Sequence, residues 1–197
     1  MRSAEISRQT RETQIGLRLD LDGSGESQID LPLGFLSHML DLLVKHSLVD
    51  LKVSAAGDLG VDDHHLTEDL GIGLGQAIRE ALGDKRGIRR YGFFILPMDE
   101  VLCQVALDLG GRYAFASDYR PQREQVGDLS TEMVNHFFAS LANQAGMNLH
   151  IRLLDSGENE HHRVEAIFKC FARALRAALE PDPRLGQEIP STKGTLC

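Results

Sequence analysis

The apolar positions of this chain change period several times, and each change marks an element. Over residues 14–21, Ile15, Leu17, Leu19 and Leu21 alternate with polar or small residues, the two-residue period of a half-buried strand. Asp22-Gly23-Ser24-Gly25 reads as a turn. Phe35, Leu36, Met39, Leu40 and Leu43 recur at helical spacing and predict an amphipathic helix over about 35–46. Leu51, Val53 and Ala55 return to alternation as a short strand, and 57–60 reads as a loop. Asp62 and Asp63 then precede a helix whose apolar face is Leu66, Leu70, Leu74, Ala77, Ile78 and Ala81. Acidic residues suit that end, where unpaired N–H groups and the macrodipole favour negative charge. Gly83-Asp84 ends the helix.

The second half repeats the order. Val101, Cys103, Val105, Leu107 and Leu109 form one strand face, which Gly110-Gly111 breaks. Ser130 or Thr131 is expected to cap a helix carrying Met133, Phe137, Phe138 and Leu141. A strand follows over 147–154. A last helix runs from Asn159 to about Leu179, with Ile167, Phe171, Ala174, Leu175 and Ala178 inward, and Pro181 and Pro183 stop it. The strands align, Leu19-Asp20-Leu21 with Leu107-Asp108-Leu109, and on that register Glu12 matches Glu100. The expectation is an α+β fold of two duplicated strand-strand-helix-strand-helix repeats, about 2–84 and 91–180, with helices on one side of each sheet. They would pack as one pseudo-symmetric catalytic unit, followed by a tail over 181–197. The second half carries about ten extra residues near 112–129.

Composition narrows the class. At 197 residues, 42% hydrophobic, the chain can bury a core without staples. A net charge of −8 excludes a phosphate-backbone binder, which needs a basic face, so no nucleic-acid partner is expected. Three cysteines without C-x-x-C spacing suit a reducing compartment. No apolar run approaches ~18 residues and the N-terminus is polar, so the expected location is the cytoplasm, without a membrane partner.

The chemistry sits in the histidines. His64-His65-Leu66-Thr67-Glu68 and His161-His162-Arg163-Val164-Glu165 share an H-H-x-x-E pattern, and each has a lone upstream histidine, His38 or His136. Helix positions i and i+4 share a face, so His64 can meet Glu68, and His161 can meet Glu165. Adjacent histidines point about 100° apart, so the members of a pair can serve different ions. His38, His64, His65, Glu68, His136, His161, His162 and Glu165 would give two metals four ligands each. Water and substrate would complete octahedral ions, which favours Mn over structural Zn. Spacing leaves the division of ligands open. One His-His pair at a helix start is readily explained by solvation; the doubled pattern is not. Gly71-Ile72-Gly73-Leu74-Gly75 lacks the third glycine of a dinucleotide fingerprint and points instead to close helix packing. His150 reads as packed or hydrogen-bonded in a strand, and His46 as a helix-end residue suited to positive charge.

These motifs together resemble the imidazoleglycerol-phosphate dehydratase family. The resemblance runs through Arg11-Glu12-Thr13, Gly34-Phe35-Leu36-Ser37-His38, Asp62-Asp63-His64-His65-Leu66-Thr67-Glu68-Asp69, Arg90-Tyr91-Gly92, Pro97-Met98-Asp99-Glu100 and Gly111-Arg112. It continues through His161-His162-Arg163-Val164-Glu165 to Lys169 and Pro190-Ser191-Thr192-Lys193-Gly194. Ser37 departs from the usual aspartate beside His38, which bears on support of that histidine. Leu31-Pro32-Leu33-Gly34 and Ser47 also depart, and the chain is too short for the phosphatase domain fused to some relatives.

The resemblance implies a two-manganese lyase assembled as a 24-subunit shell, with sites at subunit contacts. It implies Arg90, Arg112, Ser191 and Lys193 around the substrate phosphate, giving the tail a role. The implied reaction dehydrates imidazole glycerol phosphate to imidazole acetol phosphate through a metal-bound imidazolate. Glu12 is the expected acid/base, with Glu165 and Lys169 beside it in the catalytic set. Two other readings of the spacing are a two-metal hydrolase of a phosphorylated metabolite and a non-catalytic metal-binding shell protein.

Overall fold

The computed structural model describes residues 2–196. The first half contains β1 (Ser3–Gln9), β2 (Thr13–Asp20), β3 (Ser27–Asp30), α1 (Gly34–Ser47), β4 (Asp50–Gly57) and α2 (His64–Leu82). The second contains β5 (Tyr91–Met98), β6 (Val101–Asp108), β7 (Ala114–Ser117), α3 (Glu132–Ala145), β10 (Asn148–Asp155) and α4 (Glu160–Leu179). A small hairpin, β8 (Gln125–Val126) and β9 (Leu129–Ser130), is added before α3. The two main sheets have matching orders, β1-β2-β4-β3 and β5-β6-β10-β7. In both, the first three strands are antiparallel and the short edge strand is parallel to its neighbour.

The α+β reading holds, with one strand more per half than the pattern announced. β2 and β6 bury alternate residues because one face meets helices. β5 hides from a period-two search because its outward face is apolar too: Tyr91, Phe93 and Ile95 are exposed. β1 buries only Ile6 fully, and β3 buries no residue fully.

The halves are joined through their helices. α2 lies on β1 and β2 and packs against α3 of the other half; α4 lies on β5 and β6 and packs against α1. Glycines set the first of these approaches. A Cβ at Gly71 would stand 2.7 Å from the Phe137 carbonyl oxygen, and one at Gly75 would stand 2.4 Å from that of Leu141. The glycine run is thus a groove that admits the α3 backbone, the close helix packing its sequence suggests. Aromatic rings of Phe137, Phe138, Phe168 and Phe171 interlock where α3 meets α4, with centroids 4.8–5.5 Å apart.

The ten-residue insertion ties helix starts together across the halves. Asp128 accepts from the N–H groups of Gly34 (2.5 Å) and Phe35 (2.9 Å) and so caps α1. Asp63 accepts from the N–H (2.5 Å) and hydroxyl (2.8 Å) of Ser130. The expected capping of α3 by Ser130 or Thr131 is not made. Ser130 is held by Asp63, and the Thr131 hydroxyl donates to the carbonyls of Arg123 and Glu124. Beneath the start of α4, Arg163 and Glu160 form a buried ion pair at 3.0 Å. The Tyr119 hydroxyl donates to Glu160 (2.6 Å), and Arg163 donates to the carbonyls of Ser156 and Gly157.

Candidate active site

Two clusters of imidazole and carboxylate form where the helices cross. His38 of α1 meets His161 and Glu165 of α4, and His136 of α3 meets His64 and Glu68 of α2. Each cluster therefore takes its lone histidine from the opposite half, a partition that spacing could not supply. Within each, the donor atoms lie within 4.8 Å of one another. His161 Nε2 is 3.0 Å and His38 Nε2 3.8 Å from Glu165 Oε2. His136 Nε2 is 3.2 Å from Glu68 Oε1, and His64 Nε2 is 3.8 Å from Glu68 Oε2.

These donor sets fit a divalent ion. Metal–ligand bonds near ~2.1 Å put neighbouring donors about 3–4 Å apart, the range seen here. His136 Nε2 is buried with no hydrogen-bond partner although a carboxylate oxygen lies beside it. A cation between the two resolves that contact. Two imidazoles and one carboxylate suit Mn, Fe, Ni or Zn.

His65 and His162, the second members of the pairs, point elsewhere and join neither cluster. His65 Nδ1 lies 3.1 Å from both oxygens of Asp58, and its Nε2 is 3.9 Å from Glu12. His162 Nδ1 lies 2.8 Å from Glu100, and its Nε2 is 3.4 Å from Asp99. The hydrogen bond to Asp58 raises the His65 pKa. The hydrogen bond from His162, then the Asn159 N–H, lowers Glu100 to about 2. Asp58 was not legible as a site residue; Glu100 was visible as the register mate of Glu12 and within the Pro97-Met98-Asp99-Glu100 motif, but was given no role.

Glu12 sits in the turn between β1 and β2, half exposed beside a cavity edged by Ala56, Gly57 and Asp58. Lys169 forms a tight ion pair with Glu165. Burial pushes the Glu165 carboxyl up, but Lys169 and then His161 outweigh it and hold the pKa below its ordinary value. Ser37 turns its hydroxyl to the Leu33 carbonyl (2.8 Å) and gives His38 no support. Two minor expectations fail. His46 is disfavoured as a cation, by burial and then by Lys169 and Arg173. His150 is exposed on β10 rather than packed.

Arg90, Arg112, Ser191 and Lys193 line one cavity of about 560 Å³ where the tail folds back over the end of β5. The Arg90 guanidinium forks onto both oxygens of Asp108, at 2.7 and 2.9 Å, and also donates to the Pro190 carbonyl (2.8 Å). It thereby fixes the tail against the sheet and leaves two N–H groups uncommitted. A Cβ at Gly110 would stand 2.8 Å from Arg90 Nη2 and 2.9 Å from Asp108 Oδ2, so any larger residue there would have to displace this fork.

This cavity is remote from both clusters of its own chain. The Arg90 N–H bonds Ala178 at the far end of α4 from His161. At ~1.5 Å per residue that is about 25 Å. Gly111, beside the cavity, meets Gly146 at the C-terminus of α3, about 15 Å along the helix from His136.

Fold and site together define a duplicated α+β protein with two imidazole–carboxylate clusters at its helix crossings, a third group of His162, Asp99 and Glu100 beside one of them, and a separate basic cavity. The family model for imidazoleglycerol-phosphate dehydratase matches residues 32–175. Imidazoleglycerol-phosphate dehydratase from Synechococcus sp. (strain WH7803) is 51% identical over 196 residues, covering 100% of this chain and 96% of that one. The enzyme from Rhodopirellula baltica is 53% identical over 99% of this chain and 96% of its own. The crystal structure of the Staphylococcus aureus enzyme superposes with a TM-score of 0.83 at 39% identity, covering 91% of this chain and 99% of that one. The Pyrococcus furiosus enzyme in complex with (S)-C348 gives 0.81 at 33% identity, over 97% and 100%. The chain belongs to the imidazoleglycerol-phosphate dehydratase family, hydro-lyases of histidine biosynthesis. Membership removes the hydrolase and the non-catalytic shell as readings of the histidine pattern. No helix among the described residues is long and apolar enough to cross a membrane.

Proposed function

We propose that this chain dehydrates D-erythro-imidazole glycerol phosphate to imidazole acetol phosphate at a two-manganese site shared between copies of itself. The observation that carries the reading is the separation of clusters and cavity. An imidazole joined to a three-carbon phosphate ester spans under ~10 Å, from bond lengths of ~1.5 Å. One substrate therefore cannot engage a cluster and the phosphate cavity of the same chain, about 15–25 Å apart along α3 and α4. A neighbouring copy supplies the missing part. His65 and His162, which leave their own clusters, are the donors offered outward, so each ion takes three ligands from one chain and a fourth from the next. Repeating that exchange is the contact from which the 24-subunit shell implied by the resemblance would be built.

When bound, the metal pair supplies Lewis-acid stabilisation of the imidazolate form of the substrate ring. His38, His161 and Glu165 would hold one ion and His64, Glu68 and His136 the other, with His65 and His162 completing the sets. Arg112, Lys193 and Ser191 grip the phosphate, with Arg90 shaping the pocket against Asp108. The hydroxyl beside the ring takes up the proton released from the ring N–H and leaves as water. Glu12 then takes the proton from the adjacent carbon, whose hydrogen is barely acidic because no carbonyl adjoins it, and that proton goes back to the ring nitrogen. The resulting enol loses its hydroxyl proton and gains one at the ring-bearing carbon, giving the ketone. Lys169 keeps Glu165 ionised as a ligand throughout. The working compartment is the cytoplasm.

The test is a ketone-product assay on chelator-stripped protein given imidazole glycerol phosphate with and without Mn²⁺. Product only with metal is expected; metal-loaded protein without product overturns the proposal. Light scattering checks the shell, with 24 copies of a 21.8 kDa chain giving about 520 kDa. Mixing inactive Arg112→Ala and inactive His162→Ala chains checks the sharing, since reassembled mixtures regain turnover only if sites combine residues of two chains.

A further inference from the structure

The matched glutamates of the two halves have come to occupy different surroundings. Glu12 is 53% exposed, and no hydrogen-bond donor among the described residues reaches its carboxylate. Glu100 is held at both oxygens. Its Oε1 accepts from the N–H groups of Glu158 (3.3 Å) and Asn159 (3.0 Å), and its Oε2 lies 2.8 Å from His162 Nδ1. In the first half the partner of His65 Nδ1 is instead Asp58, from the loop after β4. A carboxylate only accepts, so a neutral ring hydrogen-bonded through Nδ1 carries its proton there and keeps the Nε2 lone pair; Asp99, 3.4 Å from His162 Nε2, makes no hydrogen bond to it, whereas Glu100 does at Nδ1. The loop amides that fix Glu100 belong to the residues leading into α4, so ring and helix start are locked as one piece.

We infer that Asp58 and Glu100 are positioning residues that set the tautomer and aim of His65 and His162, while Glu12, the register mate of Glu100, is left free for proton transfer. This rests on His65 and His162 being metal ligands, as proposed above. Carboxylate partners of ligand histidines typically contribute about 10–100-fold to metal affinity.

The two carboxylates differ in a way that makes the inference sharp. Both oxygens of Asp58 stand at 3.1 Å from Nδ1. An asparagine there can turn its carbonyl oxygen to the ring and keep the tautomer. A glutamine at 100 must keep its carbonyl oxygen on the loop N–H groups, so its amide nitrogen faces Nδ1. His162 must then move its proton to Nε2 and lose the lone pair a metal needs.

The experiment uses the full chelator-stripped assembly with Mn²⁺ alone as probe, by titration calorimetry. Magic-angle-spinning NMR of ¹⁵N-histidine-labelled, metal-free protein, above the histidine titration range, reads the tautomers. Glu100→Gln is expected to weaken one Mn²⁺ site by about 10–100-fold and to move one ring proton from Nδ1 to Nε2. Asp58→Asn should leave both sites within about threefold, whereas Asp58→Ala should weaken the other site as Glu100→Gln weakens its own. Glu12→Gln should change neither affinity nor tautomer. His162→Ala separates the two layers of the argument. If it binds Mn²⁺ as wild type does, the ligand reading fails. If it weakens binding while Glu100→Gln matches wild type in affinity and tautomer, the positioning role fails and the ligand reading stands. Should Glu100→Gln not assemble, Asp58→Ala decides, because the Asp58 side chain supports no main-chain group. Wild-type spectra showing Nε2-protonated His65 and His162 overturn the inference outright.

Discussion

Replacing Gly75 by alanine sets two effects on α2 against each other. The new Cβ would stand 2.4 Å from the Leu141 carbonyl oxygen and 2.7 Å from Gln144 Cβ. Backbone cannot rotate aside, so α2 and α3 must part by roughly 1 Å to reach normal contact. Overpacking of this kind costs about 1–3 kcal/mol, whereas alanine gains about 1 kcal/mol over glycine in helix propensity. Gly73→Ala, in the same helix, meets only the end of the Leu17 side chain at 3.1 Å, which can give way. Propensity then dominates, and that variant should match or exceed wild type. The two variants should differ by about 1–3 kcal/mol, or roughly 2–12 °C in Tm for a chain of this size. The strain should also reach the site. Glu68 lies about two turns before Gly75, and its 3.2 Å approach to His136 spans the α2–α3 interface. Gly75→Ala should therefore weaken Mn²⁺ at that cluster and leave the His38 cluster untouched. Thermal melts of the stripped assembly followed by Mn²⁺ titration check both parts. A melt for Gly75→Ala at or above that of Gly73→Ala would refute the packing argument. A lowered melt with an unchanged isotherm would refute its link to the site.

Three further outcomes are expected. Glu12→Gln should abolish turnover while metal content by mass spectrometry stays at the wild-type level; loss of both would make Glu12 structural. Arg163→Met strands Glu160, whose side chain is 1% exposed, and should lower stability by about 3–5 kcal/mol. Denaturant unfolding of the single variants and of the Glu160→Gln/Arg163→Met pair should show the pair to be less damaged than the sum. The third outcome concerns acid. The N–H of Glu26, and after it those of Ser24 and Gly25, hold Asp50 below its ordinary pKa. The folded protein therefore binds that proton more weakly than the unfolded chain. Its stabilisation is complete above the unfolded value of ~4 and is lost as pH falls through the lower folded value. Asp50→Asn should flatten the acid side of the melting profile, and an unchanged slope would count against the turn as an acid-sensitive element.

What the sequence disclosed follows from which forces act locally. The histidine-headed helices and the central strands were legible because i,i+4 pairing and one-sided burial both leave a period in the chain. β5 was not, since Phe93 and Ile95 face outward and erase the alternation. The Glu12–Glu100 register was visible, yet their different surroundings were not, because Asn159 and His162 come to Glu100 only when α4 docks. The exchange of His38 and His136 between clusters was hidden for the same reason: it is set by helix crossings, which Gly71 and Gly75 permit but do not name. Arg90, Arg112, Ser191 and Lys193, which line the basic cavity, carried no periodic signal and were found only through the resemblance of their motifs. The failure to cap α3 with Ser130 or Thr131 has a similar origin, as Asp63 and the Arg123 and Glu124 carbonyls compete for those hydroxyls from a distance.

Neither half of this chain builds a cluster alone, since each cluster is closed by a histidine from the other half. Two identical copies of one ancestral half, related by a twofold axis, would build both clusters at once. In such a pair, metal capture would depend on encounter, and dilution would empty the site. The stretch 83–90 between α2 and β5 turns that encounter into a tether, holding one half near the other at an effective concentration of order millimolar. Joining the halves also frees them from identity, because a change in one copy is no longer imposed on the other. Glu12 and Glu100, set at matching positions and now so differently surrounded, are what that freedom permits.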